Sequence, residues 1–253
     1  MSNPPLPPEI LDLVIDHLHD EPTALKACCV VSKSWIPRTR KHLFAQVNFP
    51  NPNILQSWKE TFPDPFNSPA YYTHTLTYYP SVGDAAVGDW ITAFSHVVHL
   101  EVVGYGAPVA QTAASFIPLH GFSPAIKSLS VYFPTLPTSA VFNLILSFPL
   151  LEDLSIVTHY GTDDDDGSGG LPTAVQPPNP PTFTGSLDLS LSGRKGGMGP
   201  VSSWLLSLPG GIHFRKLTLM WFRVSDGPPT TALVRECSDT LESLKIDLAM
   251  FST

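Results

Sequence analysis

The feature that most limits the fold of this chain is a short pattern that occurs seven times after residue 72. In each copy, a leucine is flanked by small or polar residues and followed two places later by another apolar side chain. Alternation with a period of two places every second side chain on one face of a β-strand. The pattern therefore predicts seven strands, each with one buried face, at residues 75–78, 99–102, 128–131, 153–156, 186–189, 216–219 and 243–246.

Segments with helical spacing lie between several of these strands. In one of them, Pro149 ends a run whose apolar residues share one face, namely Phe142, Leu144, Ile145 and Phe148. We predict helices at residues 84–94, 139–148, 201–208 and 230–237. A helix between two strands of one sheet returns the chain by a right-handed crossover, which makes the two strands parallel.

Successive leading leucines are 24, 29, 25, 33, 30 and 27 residues apart. This spacing resembles that of leucine-rich repeats, whose period is about 20–29 residues, but it is longer and irregular. The resemblance implies that residues 73–253 form a divergent solenoid in which stacked units bury a continuous core. The alternative is an ordinary α/β layer protein. We favour the solenoid because the strand pattern repeats and no cofactor-binding fingerprint occurs.

The first fifty residues have a different pattern, which is typical of short helices. Pro7, Pro8 and Glu9 suit a first helical turn, and the apolar residues that follow form one stripe: Ile10, Leu11, Val14, Ile15 and Leu18. We expect Thr23 to cap a second helix, which Pro37 kinks or ends and whose apolar residues are Leu25, Cys28, Val31 and Trp35. A third helical piece, 38–47, has on its apolar side Leu43, Phe44 and Val47.

Helices this short cannot bury so many apolar side chains among themselves, because units of fewer than roughly 70 residues rarely assemble a sufficient core. Part of their apolar surface is therefore expected to face another protein. The order and spacing of several residues within 4–49 resemble an F-box: Leu6-Pro7, Glu9-Ile10-Leu11, Cys28, Val31-Ser32, Trp35 and Leu43-Phe44. The alternative is a helical hairpin that caps a larger domain.

The F-box resemblance implies a function and a set of contact residues. F-boxes bind the Skp-type adaptor of a cullin–RING (SCF-type) ubiquitin ligase, and a second domain holds the substrate. The implied partners are thus a Skp-type adaptor, a cullin and an unknown protein substrate. The residues expected to bind the adaptor are Leu6, Pro7, Ile10, Leu11, Val14, Ile15, Leu18, Leu25, Cys28, Val31, Trp35, Leu43 and Phe44. The alternative is a scaffold or assembly protein, outside any ligase, that binds partners through its repeats.

The predicted fold class is α+β. A three-helix F-box is followed by a proline-rich linker, 50–72, with at most one or two helical turns, and then by an irregular α/β leucine-rich-repeat solenoid with a parallel sheet. An insertion at 161–182, rich in aspartate, glycine and proline, is expected to be disordered. The glycine-rich stretch 193–200 lacks the Gly-Lys-Ser/Thr ending of a phosphate loop and is expected to be a basic turn.

Charge and composition exclude several classes of function. The formal net charge of −8 argues against nucleic-acid binding, which requires a basic surface. No run approaches the roughly 18 apolar residues that span a bilayer. The cysteines, Cys28, Cys29 and Cys237, allow neither a disulfide framework nor a Cys-x-x-Cys metal pair. We expect a cytoplasmic or nuclear protein without membrane, metal or cofactor, and the absence of catalytic motifs predicts that it is not an enzyme.

Each predicted strand also presents side chains on the face opposite its leading leucine. The residues directly before and after that leucine are mainly small and polar. The residues three places after it are more apolar, and we expect an exposed, substrate-binding stripe formed by Tyr79, Val103, Tyr132, Val157 and Met220. The alternative is that these residues merely favour strands and lie under the next loop.

The seventh predicted strand is followed by residues 247–253 only. Stacked repeats need a polar unit at each end to cover the core, and none follows this strand. We therefore expect truncation or extension at this end to change solubility more than adaptor binding.

Overall fold

The computed structural model of the protein describes residues 7–79, 90–104, 119, 122–133, 138–158, 180–191, 199–222 and 227–248. These residues combine helices with one parallel sheet. The helices are α1 (Pro8–His17), α2 (Pro22–Val31), α3 (Ile36–Leu43), α4 (Pro52–Thr61), α5 (Thr138–Leu146), α6 (Gly199–Leu206) and α7 (Gly227–Glu236). The strands are β1 (Gln46–Phe49), β2 (Thr75–Tyr78), β3 (His99–Val103), β4 (Ser128–Phe133), β5 (Asp153–Thr158), β6 (Ser186–Leu191), β7 (Lys216–Phe222) and β8 (Ser243–Leu248).

The strands lie side by side in the order in which they occur along the chain, and each neighbouring pair is parallel. The seven predicted strands are confirmed as β2 to β8. Their leading leucines are partners in register across the sheet, from Leu76 beside Leu100 to Leu217 beside Leu244. The mixture of helices with a parallel sheet agrees with the predicted fold class.

The leading leucines and the residues two places later form the core side of the sheet. On β2 to β7 both positions are buried, as at Leu129 and Val131. Helices α5, α6 and α7 cover this side, since the same buried cluster contains Val141, Phe142, Leu144, Ile145, Val201, Trp204, Leu205 and Leu233. The intervening strand residues, such as Thr77 and Ser155, lie on the opposite side, which we call the open face.

Most of the strands begin with the same hydrogen bonds. The carbonyl oxygen of the residue before one strand accepts two successive backbone N–H groups at the start of the next strand. The Val98 carbonyl, for example, accepts from Lys127 at 2.9 Å and from Ser128 at 3.1 Å. The same arrangement occurs at the carbonyls of Ala45, His74, Lys127, Gly185 and Arg215. Because the bonds recur at all but one step, they hold successive strands at a constant offset and pair backbone groups at the amino ends of the strands.

The step from β5 to β6 departs from this arrangement. The Glu152 carbonyl accepts the Gly185 N–H at 3.1 Å, whereas the Ser186 N–H donates to Asp153 Oδ1 at 2.6 Å. The Ser186 hydroxyl donates to the same oxygen, also at 2.6 Å. Gly185 leaves space for this carboxylate, because a Cβ there would collide with Asp153 Oδ1 and lie 3.0 Å from the Glu152 carbonyl oxygen.

We predict that Gly185→Ala destabilises the protein by about 1–3 kcal/mol, because moving the Asp153 carboxylate leaves the Ser186 N–H without its acceptor. Gly210→Ala is the matched control, since a Cβ at Gly210 meets no atom within 4 Å. Urea denaturation followed by circular dichroism measures the free energy of unfolding. Equal denaturation midpoints for the two variants would contradict this role of Gly185.

The predicted helical piece 38–47 is wrong at its end, because α3 stops at Leu43 and the last two residues of the piece belong to β1 (Gln46–Phe49), which pairs with β2. Val47 and Phe49 are buried and the residue before each is exposed, as in other strands with one buried face. This strand has valine where the seven predicted strands have their leading leucine, and Val47 also fits a helical face with Phe44.

Two prolines, Pro22 and Pro37, lie in the first turn of a helix, and they correct the predicted start and end of the second helix. Pro22 is the first residue of α2, so Thr23 lies inside the helix and does not cap it. Pro37 lies in the first turn of α3 and does not end α2, which stops at Val31 before a short 3-10 turn that contains Trp35. Proline is favoured in a first turn because its missing N–H would have no intrahelical partner there.

The predicted linker, 50–72, contains the ten-residue helix α4 and two 3-10 turns, which is more helix than predicted. The Asn51 side chain caps α4 by accepting the Ile54 N–H at 3.1 Å. Trp58 on α4 packs at ring-centroid distances of 5.0 to 5.9 Å against Phe44, Phe49, Phe62 and Phe94. These contacts join the end of the helical unit to the core of the sheet.

The predicted helices 139–148, 201–208 and 230–237 are confirmed as α5, α6 and α7. The predicted helix 84–94 and the predicted insertion 161–182 lie mostly outside the described residues. So does most of the glycine-rich stretch 193–200, although its last two residues begin α6 and do not form the predicted turn. Within the described ranges, none of the helices has both the length and the apolar character needed to cross a lipid bilayer.

Candidate functional site

The three N-terminal helices bury several of their own side chains. Ile15 on α1 and both Leu25 and Cys28 on α2 are buried. Thr39 on α3 is buried as well, and its hydroxyl group donates to the Trp35 carbonyl at 2.8 Å. Because α3 contacts both α1 and α2, it determines how these two helices present their outer sides.

An ion-pair cluster joins α1 to α3. Arg38 donates from Nε to Asp16 Oδ1 at 2.6 Å and from Nη2 to Oδ2, and His42 Nε2 lies 2.7 Å from Oδ1. The hydrogen bonds from Arg38 and His42 hold the pKa of the Asp16 carboxyl well below its ordinary value. A two-point contact between guanidinium and carboxylate fixes orientation as well as distance. The cluster therefore restrains the angle between the two helices.

We expect Arg38→Met to lower the thermal midpoint by a few degrees at neutral pH, because it removes the main partner of Asp16. The pKa of Asp16 is lowered in the folded protein, so this stabilisation is present above the ordinary pKa of 3.8 and is lost as the pH falls below it. The difference in midpoint between wild type and variant should therefore narrow on acidification. Scanning calorimetry measures the thermal midpoint of each protein. Arg40→Met is the control, because Arg40 is an exposed arginine of the same helix. A difference that stays constant with pH would contradict the role of the cluster.

The outer sides of α1 and α2 have exposed apolar side chains. On α1, Ile10, Leu13 and Val14 recur at the spacing of one helix face. On α2, Val30 and Val31 are exposed, and Val30 has 86% of its surface accessible. We call these five residues the helical patch. Several large apolar side chains exposed on one small unit are typical of surfaces that bind other proteins.

The predicted adaptor-binding residues differ in burial. The exposed ones are Pro7, Ile10, Val14 and Val31. The partly buried ones are Leu11, Leu18, Trp35, Leu43 and Phe44. Ile15, Leu25 and Cys28 are buried, so they are not accessible to an adaptor in this conformation, and Leu6 lies outside the described residues. Contact with an adaptor stays a prediction for all of them.

Sequence reasoning missed two members of the helical patch, Leu13 and Val30. The predicted stripe on α1 spans two faces of the helix, an inner one that includes Ile15 and an outer one that includes Ile10 and Val14. The three-residue step from Ile10 to Leu13 is a signal that could have identified the outer face. Val30 has no such signal, because its exposure depends on how α2 packs against α3.

A polar row crosses the open face of the sheet. Its members lie one place after each leading leucine and are partners in register: Thr77, Glu101, Ser130, Ser155, Asp188, Thr218 and Lys245. The Thr77 hydroxyl donates to Glu101 Oε2 at 2.8 Å. From β2 to β6 the row contains two carboxylates and no basic side chain, so this part of the open face is acidic.

Tyr132 lies between the two carboxylates of this row. Burial raises the pKa of Tyr132, the negative charges of Glu101 and Asp188 raise it further, and a hydrogen bond with Ser130 opposes the shift. Burial also raises the pKa of Asp188, against the influence of Lys245. Asp188 Oδ1 is buried and has no hydrogen-bond partner among the described residues. These groups give the open face a polar centre at β3 to β6.

The predicted exposed stripe is wrong at two positions, because Val103 and Val157 are buried. Both valines flank Tyr132 in register, so the large ring between them shields them. Tyr79, Tyr132 and Met220 are partly exposed. Substrate binding by the five residues stays a prediction, but they do not form a continuous apolar surface.

A shallow cavity of about 430 Å³ lies at the amino ends of β5 to β8, lined in part by Glu152, Arg215 and Glu242. Three of the charged residues that line it, Glu152, Arg215 and Glu242, are in ion pairs. Lys127 Nζ lies 2.8 Å from a Glu152 oxygen, and Arg215 lies 3.8 Å from Glu242. Within the part of the chain that the structure describes, no group of three His, Cys, Asp or Glu side chains could hold a metal ion. We assign no ligand to this cavity.

Comparison of the chain with protein-family models, with curated proteins and with solved structures gave no match. Function is therefore inferred from the two surfaces described above. One is the helical patch, which is apolar, and the other is the open face, which is polar and acidic at its centre.

Proposed function

We propose that the protein is a non-enzymatic substrate receptor of an SCF-type ubiquitin ligase. In this proposal the helical unit within residues 4–49 is an F-box that binds a Skp-type adaptor, and the adaptor joins a cullin. The strand-rich part, within 73–253, is a divergent leucine-rich-repeat solenoid that binds a target protein. Holding the target beside the ubiquitin-carrying enzyme raises its effective concentration, so the chain promotes transfer without catalysing it.

The helical patch is the observation on which the proposal chiefly depends. Fully burying an exposed large aliphatic side chain contributes about 1.5–3 kcal/mol, so a partner that covers the remaining exposed surface of these five gains a part of that from each. The contact between Arg38 and Asp16 holds the helices in place before any partner arrives. A surface organised in advance loses less conformational entropy on binding. Two exposed members of the F-box motif, Ile10 and Val31, lie within this patch.

Two features of the sheet support the solenoid part of the proposal. The strands follow chain order with parallel neighbours, and nearly every step repeats the same pair of backbone hydrogen bonds. In repeat solenoids each unit likewise contacts only its neighbours and contributes one layer to a continuous core. The irregular step between β5 and β6 coincides with the longest interval between leading leucines, 33 residues.

The open face is the proposed site for the target protein. Glu101 and Asp188 give its centre a negative charge, and Tyr132 adds a partly exposed ring between them. A target segment with lysine or arginine side chains complements this surface, because charges of opposite sign steer association and fix register. Aromatic side chains are frequent at the centre of such interfaces.

Co-expression of the full chain with a Skp-type adaptor, followed by size-exclusion chromatography with light scattering, tests the proposal. We expect an equimolar complex that also retains the adaptor-binding part of a cullin. A chain that elutes without the adaptor at tens of micromolar would exclude the ligase function. That result would favour the alternative, a scaffold that binds its partners through the sheet alone.

A further inference from the structure

The strand β8 differs from the other strands at the core side of the sheet. Leu244 and Ile246 have 44% and 43% of their surface accessible, whereas their register partners on β7, Leu217 and Leu219, have 1% and 0%. β8 also lies at the end of the strand order, with β7 as its neighbour in the described sheet. It therefore presents an unpaired strand edge together with an uncovered apolar side, the combination that favours pairing with another strand.

At the opposite end of the sheet, the core-side side chains are covered. On β1, Val47 and Phe49 are buried, and the Phe49 ring packs edge-on against Trp58 of α4 at a centroid distance of 5.6 Å. The two edges are thus unequal. A strand that extends the sheet gains apolar contacts at β8 but not at β1, so head-to-tail stacking of β8 on β1 of another molecule is disfavoured.

The sequence of β8 is complementary to itself in one antiparallel register. If Ile246 lies opposite Ile246 of a second copy, each Lys245 lies opposite an Asp247 of the other molecule. In the register of β7 and β8, Lys245 pairs with Thr218 and Asp247 pairs with Met220, so Lys245 and Asp247 lie on the open face. Leu244 and Ile246 then lie together on the core side of both molecules. Directly opposite charges stabilise a strand pair, and like charges destabilise it.

We propose that β8 of one molecule pairs antiparallel with β8 of a second copy, around a twofold axis at Ile246. The pairing joins the two sheets into one and covers Leu244 and Ile246 of both molecules. It is isologous, so it closes at two molecules and does not continue into a fibre. The interface is independent of adaptor binding, because the helical patch lies on α1 and α2, before β1 in the chain and at the opposite end of the strand order.

Exchange of the two charges tests this register in the full 253-residue chain. Sedimentation velocity over a range of concentrations should show a monomer–dimer equilibrium for the wild type. Lys245→Asp and Asp247→Lys should each raise the dimer dissociation constant about tenfold or more, since each creates two like-charge pairs across the axis. The double variant with both changes restores opposite charges and should return the constant to within about threefold of wild type.

The double variant has the same composition as the wild type and is therefore its own control for net charge. Circular dichroism of each variant shows whether the fold is kept. A wild type that stays monomeric at every concentration would overturn the proposal, and so would open-ended assemblies. The proposed register would be overturned if the single variants had the dimer dissociation constant of the wild type. It would also be overturned if the folded double variant did not return to that constant.

Discussion

Replacing Ile10 by aspartate is expected to weaken binding to a Skp-type adaptor by at least about 100-fold while the chain stays folded. Ile10 is 44% exposed in the helical patch, so a carboxylate there remains in water in the free protein. In the complex the same carboxylate is buried without a partner, which costs several kcal/mol. Isothermal titration of the purified adaptor into the full chain measures the loss of affinity.

The chain provides a close control for this change. Ile54 is also 44% exposed, and it is the third residue of a helix that begins with proline, as Ile10 is in α1. Ile54→Asp therefore introduces the same charge in the same local setting but outside the helical patch. We expect this variant to bind the adaptor as wild type does. Equal loss of affinity in both variants would mean that the patch is not the adaptor site.

Phe142→Ala is expected to destabilise the protein by about 3–5 kcal/mol, the range for removal of a large aromatic side chain from a packed core. Phe142 on α5 stacks on Trp204 of α6, with the ring centroids 4.2 Å apart and the planes 10° from parallel. Both side chains are buried. The pair thus connects α5, between β4 and β5, with α6, between β6 and β7, and alanine leaves a cavity at this contact. Urea denaturation gives the free energy of unfolding.

Asn143→Ala is the matched control for Phe142→Ala, because Asn143 is the next residue of α5 and is exposed. Substitution there should change the unfolding free energy by about 0.5 kcal/mol or less. A Phe142→Ala variant that loses no more than this control would contradict the packing of α5 against α6.

The strands of this protein could be predicted well because each one repeats the same local signal. A leucine between polar residues specifies which face is buried, and the register that aligns Leu76 with Leu100 follows from that burial. β1 was missed because it has Val47 in place of the leading leucine, and this valine fits a helix as well as a strand. A short apolar pattern without a repeated marker residue does not distinguish the two elements.

The surfaces were harder to predict than the elements. The exposure of Val30 and the burial of Ile15 depend on α3, whose position is restrained by Arg38, 22 residues from its partner Asp16. On the open face, burial of Val103 depends on the side chain of Tyr132 on the next strand. Contacts between residues far apart in the sequence decide both cases, and a pattern within one element contains no information about them.

Site-specific photo-crosslinking tests the central claim most directly. A benzoylphenylalanine at Val30, the most exposed large apolar residue of the helical patch, should crosslink the purified Skp-type adaptor. The same group at Phe66, which is 80% exposed but lies outside the patch, should not. A crosslink from Val30 alone is the predicted result. A crosslink from Phe66 alone, or from neither position when the adaptor is in excess, would contradict an adaptor site on α1 and α2.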